Sequence, residues 1–106
     1  MAKYLIQANY TSEGAKGLVK EGGSARRTAV EKAIASLGGR LDAFYYAFVS
    51  TDLFVIADMP DNASVAAMAL AVGQSGLAST TTTVLLTAEE IDVAAKKAVA
   101  YRPPGR

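Results

Sequence analysis

The sequence contains no cysteine and no histidine. Without cysteine the chain cannot form disulfides or use a thiolate as nucleophile or metal ligand. Without histidine it lacks the commonest general base, the commonest metal ligand and the side chain that titrates near neutral pH. Serine–histidine and cysteine–histidine catalysis and histidine-held haem are therefore excluded. No group of acidic residues converges in the sequence, so we expect no metal site and no cofactor.

The chain also has little net charge and no long hydrophobic run. Eleven Lys and Arg residues stand against ten Asp and Glu residues, for a net charge of +1. That balance gives no general attraction to nucleic acid or to an anionic membrane. The N-terminal segment MAKYLIQANY is interrupted by Gln7 and Asn9, so we expect neither a signal peptide nor a membrane span. We therefore expect a cytoplasmic protein that binds neither nucleic acid nor membrane.

What the sequence does contain is a high proportion of hydrophobic residues in a short chain. The 106 residues are 51% hydrophobic, which is typical of one folded domain rather than a disordered segment. We expect residues 1–106 to form a single domain. The final YRPPGR carries two prolines, which cannot continue a helix, so about 102–106 should form a flexible tail.

The hydrophobic periodicity predicts a β-α-β-β-α-β order followed by one more helix. Gly14 and Gly17 disfavour a helix directly after the first strand, so TSEGAKGL is predicted to be a loop or one helical turn. This order is typical of the α+β, ferredoxin-like fold, here with an added C-terminal helix. The predicted strands are 3–10, 40–49, 52–58 and 77–87, and the predicted helices are 24–37, 62–72 and 88–100. The predicted helix caps are Ser24, Asp61 and Thr87, the last in a capping box with Glu90. The last helix is predicted to turn four residues inward: Ile91, Ala94, Ala95 and Ala98.

The two central strands are apolar on both faces, although helices in this fold cover only one face of the sheet. Leaving three large side chains in water would cost about 1.5–3 kcal/mol each. The same sheet from a second chain could cover them and enclose a barrel with two-fold symmetry. The alternative is a C-terminal helix that crosses the uncovered face. Which set meets the helices stays open: the Leu, Val and Ala residues, or the opposing Phe44, Tyr46, Phe48, Phe54 and Ile56.

Several segments, in this order, resemble the GYD-domain family of small bacterial proteins in the dimeric α/β-barrel superfamily. They are YLIQANYTSEGAKGL, the Gly38-Gly39 break, FYYAFVSTDLFVIADMPD and STTTTVLLTAEEI. The family is named for a Gly-x-Tyr-Asp turn, and only Asp52 of that turn is present here. The resemblance implies a ferredoxin-like subunit and a homodimer or a higher oligomer built from dimers. It brings no settled biochemical function.

Four residues are candidates for binding a ligand. Asp52 could bind a cation or accept a proton at the mouth of a cleft, or simply cap its turn. Lys16, among glycines, could belong to an anion-binding loop or be a solvated lysine. Tyr10 and Tyr45, with Tyr46, could line a pocket and orient a small ligand or pack in the core.

Two further features have a functional and a structural interpretation. Arg26 and Arg27 open a helix, where cations oppose the helix dipole. They could contact a ligand or partner, or form ordinary salt bridges. The threonine run 80–83 favours a β-strand, either at an edge of the sheet or paired with another chain.

The residues identify no reaction, and we favour a non-catalytic role. The expected protein is homo-oligomeric and binds a small organic ligand between sheet and helices, or serves in assembly. The alternative is a small barrel-type enzyme, a cofactor-free monooxygenase or isomerase acting on a small organic substrate. Such an enzyme would have to use Asp52, Lys16, Tyr10 or Tyr45. A third possibility is a structural module with the helix around Met68 as its outer contact surface.

Overall fold

The computed structural model describes residues 1–106 and has an α+β fold of four strands and four helices. Two helices, rather than one, connect the first strand to the second. The strands are β1 (Ala2–Tyr10), β2 (Arg40–Tyr46), β3 (Leu53–Met59) and β4 (Ala78–Leu85); the helices are α1 (Ser12–Glu21), α2 (Gly23–Ser36), α3 (Asn62–Ser75) and α4 (Ala88–Ala95).

The strands form one antiparallel sheet in the order β2-β3-β1-β4. This is the strand order of the ferredoxin-like fold, so the predicted fold class is confirmed. The sheet is open and does not close into a barrel within one chain. The threonine run 80–83 lies in β4, at an edge of the sheet, as one of its two interpretations required.

The core lies between one face of the sheet and the helices α1, α2 and α3. Alternate residues of β1 and β3 point to this face because side chains alternate along a strand. Ile34 of α2 and Val65 of α3 cover them. Tyr4 is 1% exposed and donates its hydroxyl hydrogen to Asn62 Oδ1, which satisfies a phenol in the core. The strand residues of this core are Tyr4, Ile6, Ala8, Leu53, Val55, Ala57 and Met59.

The prediction of a loop or single turn after β1 is wrong, because residues 12–21 form the helix α1. Thr11 caps this helix by accepting a hydrogen bond from the Gly14 amide at 3.2 Å. Gly22, with φ of 88°, separates α1 from α2. Since α2 begins at Gly23 and has no side-chain cap, the predicted cap by Ser24 is also wrong. The close packing of Gly14 on the Leu77 backbone outweighs the weak helix propensity of the glycines.

The predicted faces of the central hairpin are partly wrong because β2 contains a bulge between Leu41 and Ala43. An extra residue in one strand reverses the facing of everything beyond it. Phe44 therefore pairs with Val55 on the core face, although simple alternation predicts Phe44 on the face opposite Val55. The pairs Tyr46 with Leu53 and Leu41 with Ala57 share that core face, and the pairs Ala43 with Ile56 and Tyr45 with Phe54 lie on the uncovered face.

Strand ends also differ from the prediction. The strand β2 ends at Tyr46 rather than at Val49, and Phe48 is 97% exposed in the following loop. The strand β4 ends at Leu85 instead of continuing to Thr87. In both places the apolar or β-branched pattern continues past the last residue that has a pairing partner.

The other two predicted helix caps are confirmed. Asp61 accepts a hydrogen bond from the Ser64 amide at 2.7 Å and begins α3, which runs on to Ser75. Thr87 and Glu90 form a reciprocal capping box at the start of α4. No helix of the structure combines the length and apolar character that crossing a membrane requires.

The C-terminal helix does not cross the uncovered face of the sheet, so that alternative is wrong. Every residue from Ala88 to Arg106 is exposed, and α4 ends at Ala95 rather than near Ala100. The chain measures 57 × 32 × 22 Å and its radius of gyration is 17.0 Å, above the about 13 Å expected for a compact domain of this length. The residues expected to point inward are therefore exposed: Ile91, Ala94, Ala95 and Ala98.

Candidate functional site

A cleft of about 340 Å³ lies between the core face of the sheet and the helices, and we call it the helix-side cleft. Its floor is formed by β1, β3 and β4, and its walls by α1 and α2 on one side and α3 on the other. Small residues leave the space, because α1 contributes glycines and α3 contributes alanines. The apolar lining includes Ile6, Ala8, Leu18, Val30, Leu53, Val55, Val65, Met68, Ala69, Ala71 and Val72.

The charged and phenolic groups of the cleft are Tyr10, Glu21 and Arg26. Arg26 Nε lies 3.1 Å from Glu21 Oε1, which is an ion-pair distance. The N–H direction does not fit a hydrogen bond, however, and this buried nitrogen has no hydrogen-bond partner in the chain. Buried donors without a partner are uncommon in folded proteins. Arg26 therefore has a hydrogen-bond donor without a partner, although its positive charge is balanced by the Glu21 carboxylate.

Two phenols adjoin this polar group. Burial, followed by the neighbouring Tyr46, raises the pKa of Tyr10 to about 12. Burial also raises the pKa of Tyr46, against the opposing effect of the Arg26 charge. The Tyr46 hydroxyl donates to the Gly23 carbonyl at 3.1 Å, and its ring meets Phe44 edge-on, 5.3 Å between centroids. Both phenols consequently stay protonated at neutral pH and can donate hydrogen bonds.

Asp52 has a structural role, because it holds the backbone of Tyr10 in position. Its Oδ2 accepts a hydrogen bond from the Tyr10 amide at 2.8 Å. Its own amide is shared between Ala8 O and Asn9 Oδ1, each at 3.1 Å. Asp52 therefore joins the start of β3 to the end of β1. It does not line the helix-side cleft, and it acts there only through the backbone of Tyr10.

The other two predicted ligand residues lie away from the cleft. Lys16 is on the exposed side of α1, where it pairs with Glu13 at 3.3 Å. Tyr45 is 72% exposed on the uncovered sheet face. Of the four candidates, the structure thus brings only Tyr10 and Asp52 together. Met68, which only the structural-module alternative places on an outer contact surface, lines the cleft and packs against the core.

We call the uncovered side of the sheet the open sheet face. Its centre is apolar and half-buried, and it carries Leu5, Phe54 and Ile56 beside the exposed Tyr45. These side chains come from three neighbouring strands, so they form a continuous surface. Helices of the same chain cover none of it.

One end of this face is charged. Lys3 Nζ lies 2.7 Å from Asp42 Oδ2 and 3.1 Å from Asp58 Oδ1, and Arg40 binds the other Asp58 oxygen at 2.9 Å. Lys3, and then Arg40, lower the pKa of Asp58. The network joins β1, β2 and β3 through their side chains.

Sequence reasoning missed Glu21 as a site residue and left Arg26 between two interpretations. The two charges flank Gly22-Gly23, which turns the chain between α1 and α2. Opposite charges on either side of a glycine break were the available signal. Nothing local placed them beside Tyr10, since that neighbourhood depends on how α2 packs on the sheet.

Comparison with protein-family models identifies the family of this chain. A family model described as GYD domain matches residues 4–95. The chain belongs to the GYD-domain family. The match begins within β1 of this GYD-domain protein, covers the other three strands and ends at Ala95, the last residue of α4. Comparison with curated proteins and with solved structures found no match.

Proposed function

We propose that this GYD-domain protein binds a small organic ligand in the helix-side cleft, without catalysis, as a homodimer or an assembly of dimers. The observation that carries the proposal is the cleft itself. Its volume of about 340 Å³ falls within the range of about 300–1,000 Å³ typical of ligand pockets. Its walls are mostly apolar and its charged groups are few, which is the usual composition of such a pocket.

The arrangement of titratable groups supports binding over catalysis. A general base needs a pKa near the working pH and a place within reach of the substrate. Asp52 and Lys16, two of the residues that chemistry would have to use, do not line the cleft. Tyr10 does, but its pKa of about 12 makes it a poor base at neutral pH. Glu21 is already paired with Arg26.

The open sheet face supports the homodimer. Phe54, Ile56 and Leu5 form an apolar surface that no helix of the chain covers, and burying each large side chain contributes about 1.5–3 kcal/mol. A second copy presents the same surface, so a two-fold contact would bury both at once. Such a contact places each helix-side cleft on the outer side of the assembly, where a ligand can reach it.

Ligand binding can be tested by filling the cleft. Ala69→Phe puts a ring among the lining residues, whereas Ala66→Phe puts the same ring on an exposed part of the same helix. Small aromatic fragments should shift NMR signals of cleft residues in the wild-type protein and in Ala66→Phe, but not in Ala69→Phe. Native mass spectrometry should detect a small molecule that co-purifies with the first two proteins. Equal fragment binding by all three would overturn the proposal.

The homodimer can be tested with a matched pair of charge substitutions. Phe54→Glu places a carboxylate in the centre of the open sheet face, while Phe48→Glu places it in the loop, where Phe48 is 97% exposed. Light scattering after size-exclusion chromatography should give a monomer for Phe54→Glu and a dimer or dimer multiple for Phe48→Glu and the wild type. A monomeric wild-type protein at micromolar concentration would contradict the proposed assembly.

A further inference from the structure

The polar groups of the helix-side cleft restrict the chemistry of its ligand. We propose that the cleft selects a neutral, mostly apolar molecule that carries one hydrogen-bond acceptor, such as an aromatic ketone, over a carboxylate of the same shape. This inference rests on the proposed ligand-binding function and adds the ligand class. It follows from the lining, from the charge balance and from the donors that are present.

The lining requires an apolar body. Leu18, Val30, Leu53, Val55 and Met68 surround most of the cleft. A ligand that exposed further polar groups to these walls would lose their hydration without gaining partners, which is unfavourable. Apart from the hydroxyls of Ser75, Thr80 and Thr82, the polar groups that the cleft offers a ligand are those around Arg26.

The charge balance favours a neutral ligand. Arg26 is the only cation among the lining residues, and Glu21 lies 3.1 Å from it. A carboxylate brought to Arg26 would therefore meet the Glu21 carboxylate as well. It would give up its hydration for an attraction that a like charge opposes. A carbonyl oxygen carries no such penalty.

The hydrogen-bond donors of the cleft favour a ligand that carries an acceptor. Arg26 Nε is buried and unmatched, and the neighbouring Tyr10 hydroxyl stays protonated at neutral pH because its pKa is about 12. A buried donor left without a partner is unfavourable. The Arg26 side chain is 37% exposed, so an acceptor at the polar end of the cleft can take a hydrogen bond from its accessible part or from the Tyr10 hydroxyl, and a ligand with a carbonyl gains over its plain hydrocarbon.

Three probes of one shape separate these contributions: naphthalene, 2-acetylnaphthalene and 2-naphthoate. Their dissociation constants at neutral pH can be measured by NMR titration of the full chain. One added hydrogen bond corresponds to about a three- to tenfold gain. We expect 2-acetylnaphthalene to bind about that much more tightly than naphthalene, and 2-naphthoate to bind more weakly than the ketone.

Two variants and one control test the residues. Arg26→Met should remove the advantage of the ketone over naphthalene, and Arg27→Met should keep it, because Arg27 pairs with Glu31 outside the cleft. Glu21→Gln leaves Arg26 without its counter-charge, so 2-naphthoate should gain about tenfold or more in that variant. Since Glu21→Gln preserves the shape of an exposed side chain, its result stands even if Arg26→Met folds poorly.

The outcomes distinguish the two proposals. If no probe binds the wild-type protein, or if Ala69→Phe binds them all unchanged, ligand binding in the cleft is wrong. If all three bind in the cleft with equal affinity, or if 2-naphthoate binds most tightly, ligand binding stands and the neutral-acceptor class is wrong. An unchanged 2-naphthoate affinity in Glu21→Gln also overturns the class.

Discussion

Gly14 marks the closest approach between α1 and the segment leading into β4, and a single methyl group there tests how the cleft is built. A Cβ at this position would lie 1.9 Å from the Leu77 carbonyl oxygen, 2.9 Å from its carbon and 3.2 Å from Tyr10 Cδ1. Real contacts of this kind are longer than 3 Å, so the backbone has to shift. The Leu77 oxygen also accepts the Thr11 amide hydrogen bond at 2.9 Å, and a shift would weaken it.

The magnitude of Gly14→Ala follows from three effects. Replacing glycine by alanine within a helix gains about 1 kcal/mol. Overpacking costs about 1–3 kcal/mol and often more where backbone must move. Weakening the Thr11–Leu77 hydrogen bond costs about 1 kcal/mol. The net expectation is a loss of about 2 kcal/mol, which corresponds to a melting temperature lower by about 10 °C in a domain of this size.

Gly17 provides the control in the same helix. No atom lies within 4 Å of a Cβ built there, so Gly17→Ala should gain about 1 kcal/mol and raise the melting temperature by about 4 °C. Both variants and the wild type should be melted by circular dichroism at one protein concentration, since assembly affects the midpoint. A Gly14→Ala protein as stable as the wild type would refute the close contact of α1 with Leu77.

Three further predictions concern charge and the C-terminus. The pKa of Asp58 lies below its ordinary value of 3.8, so its contribution to stability is present above that pH and is lost as the pH falls below it. Asp58→Asn should cost about 1 kcal/mol of unfolding free energy near neutral pH. The same variant should lose less stability than the wild type when the protein is unfolded by acid. Because the pKa of Tyr10 rises from 10.0 to about 12, stability should fall as the pH rises through that interval, and Tyr10→Phe should remove one late step from an ultraviolet phenolate titration. A chain ending at Thr87 should remain folded by circular dichroism, because residues 88–106 are all exposed; an unfolded product would contradict this.

Features encoded by neighbouring residues were predictable from the sequence. The caps at Asp61 and Thr87 depend on a side chain and an amide three residues later, so spacing alone indicates them. The strand order followed from the succession of elements. The helix break at Gly38 is also local, since its φ of 81° favours glycine.

Features that depend on distant contacts were not predictable. The helix α1 exists despite two glycines because Gly14 packs on Leu77, which lies far along the chain. The bulge in β2 arises from the pairing of that strand with β3, and no residue type near Leu41 predicts it. Of the candidate site, the sequence indicated Tyr10 and a position between sheet and helices. It could not indicate that Glu21 and Arg26 share that space, because folding of α1 and α2 onto the sheet brings them there.

The bulge at Leu41–Ala43 lets β2 hold one residue more than its partner strand without changing which side chains face the interior. Removing the extra residue, Asp42, would close the bulge and leave Leu41 opposite Ala57 and Ala43 opposite Ile56. Phe44 and Tyr46 would stay in the interior, and Tyr45 would stay outside it. One deleted codon at this point would thereby reduce the local bend and twist of the strand, whereas the composition of the interior would be unchanged.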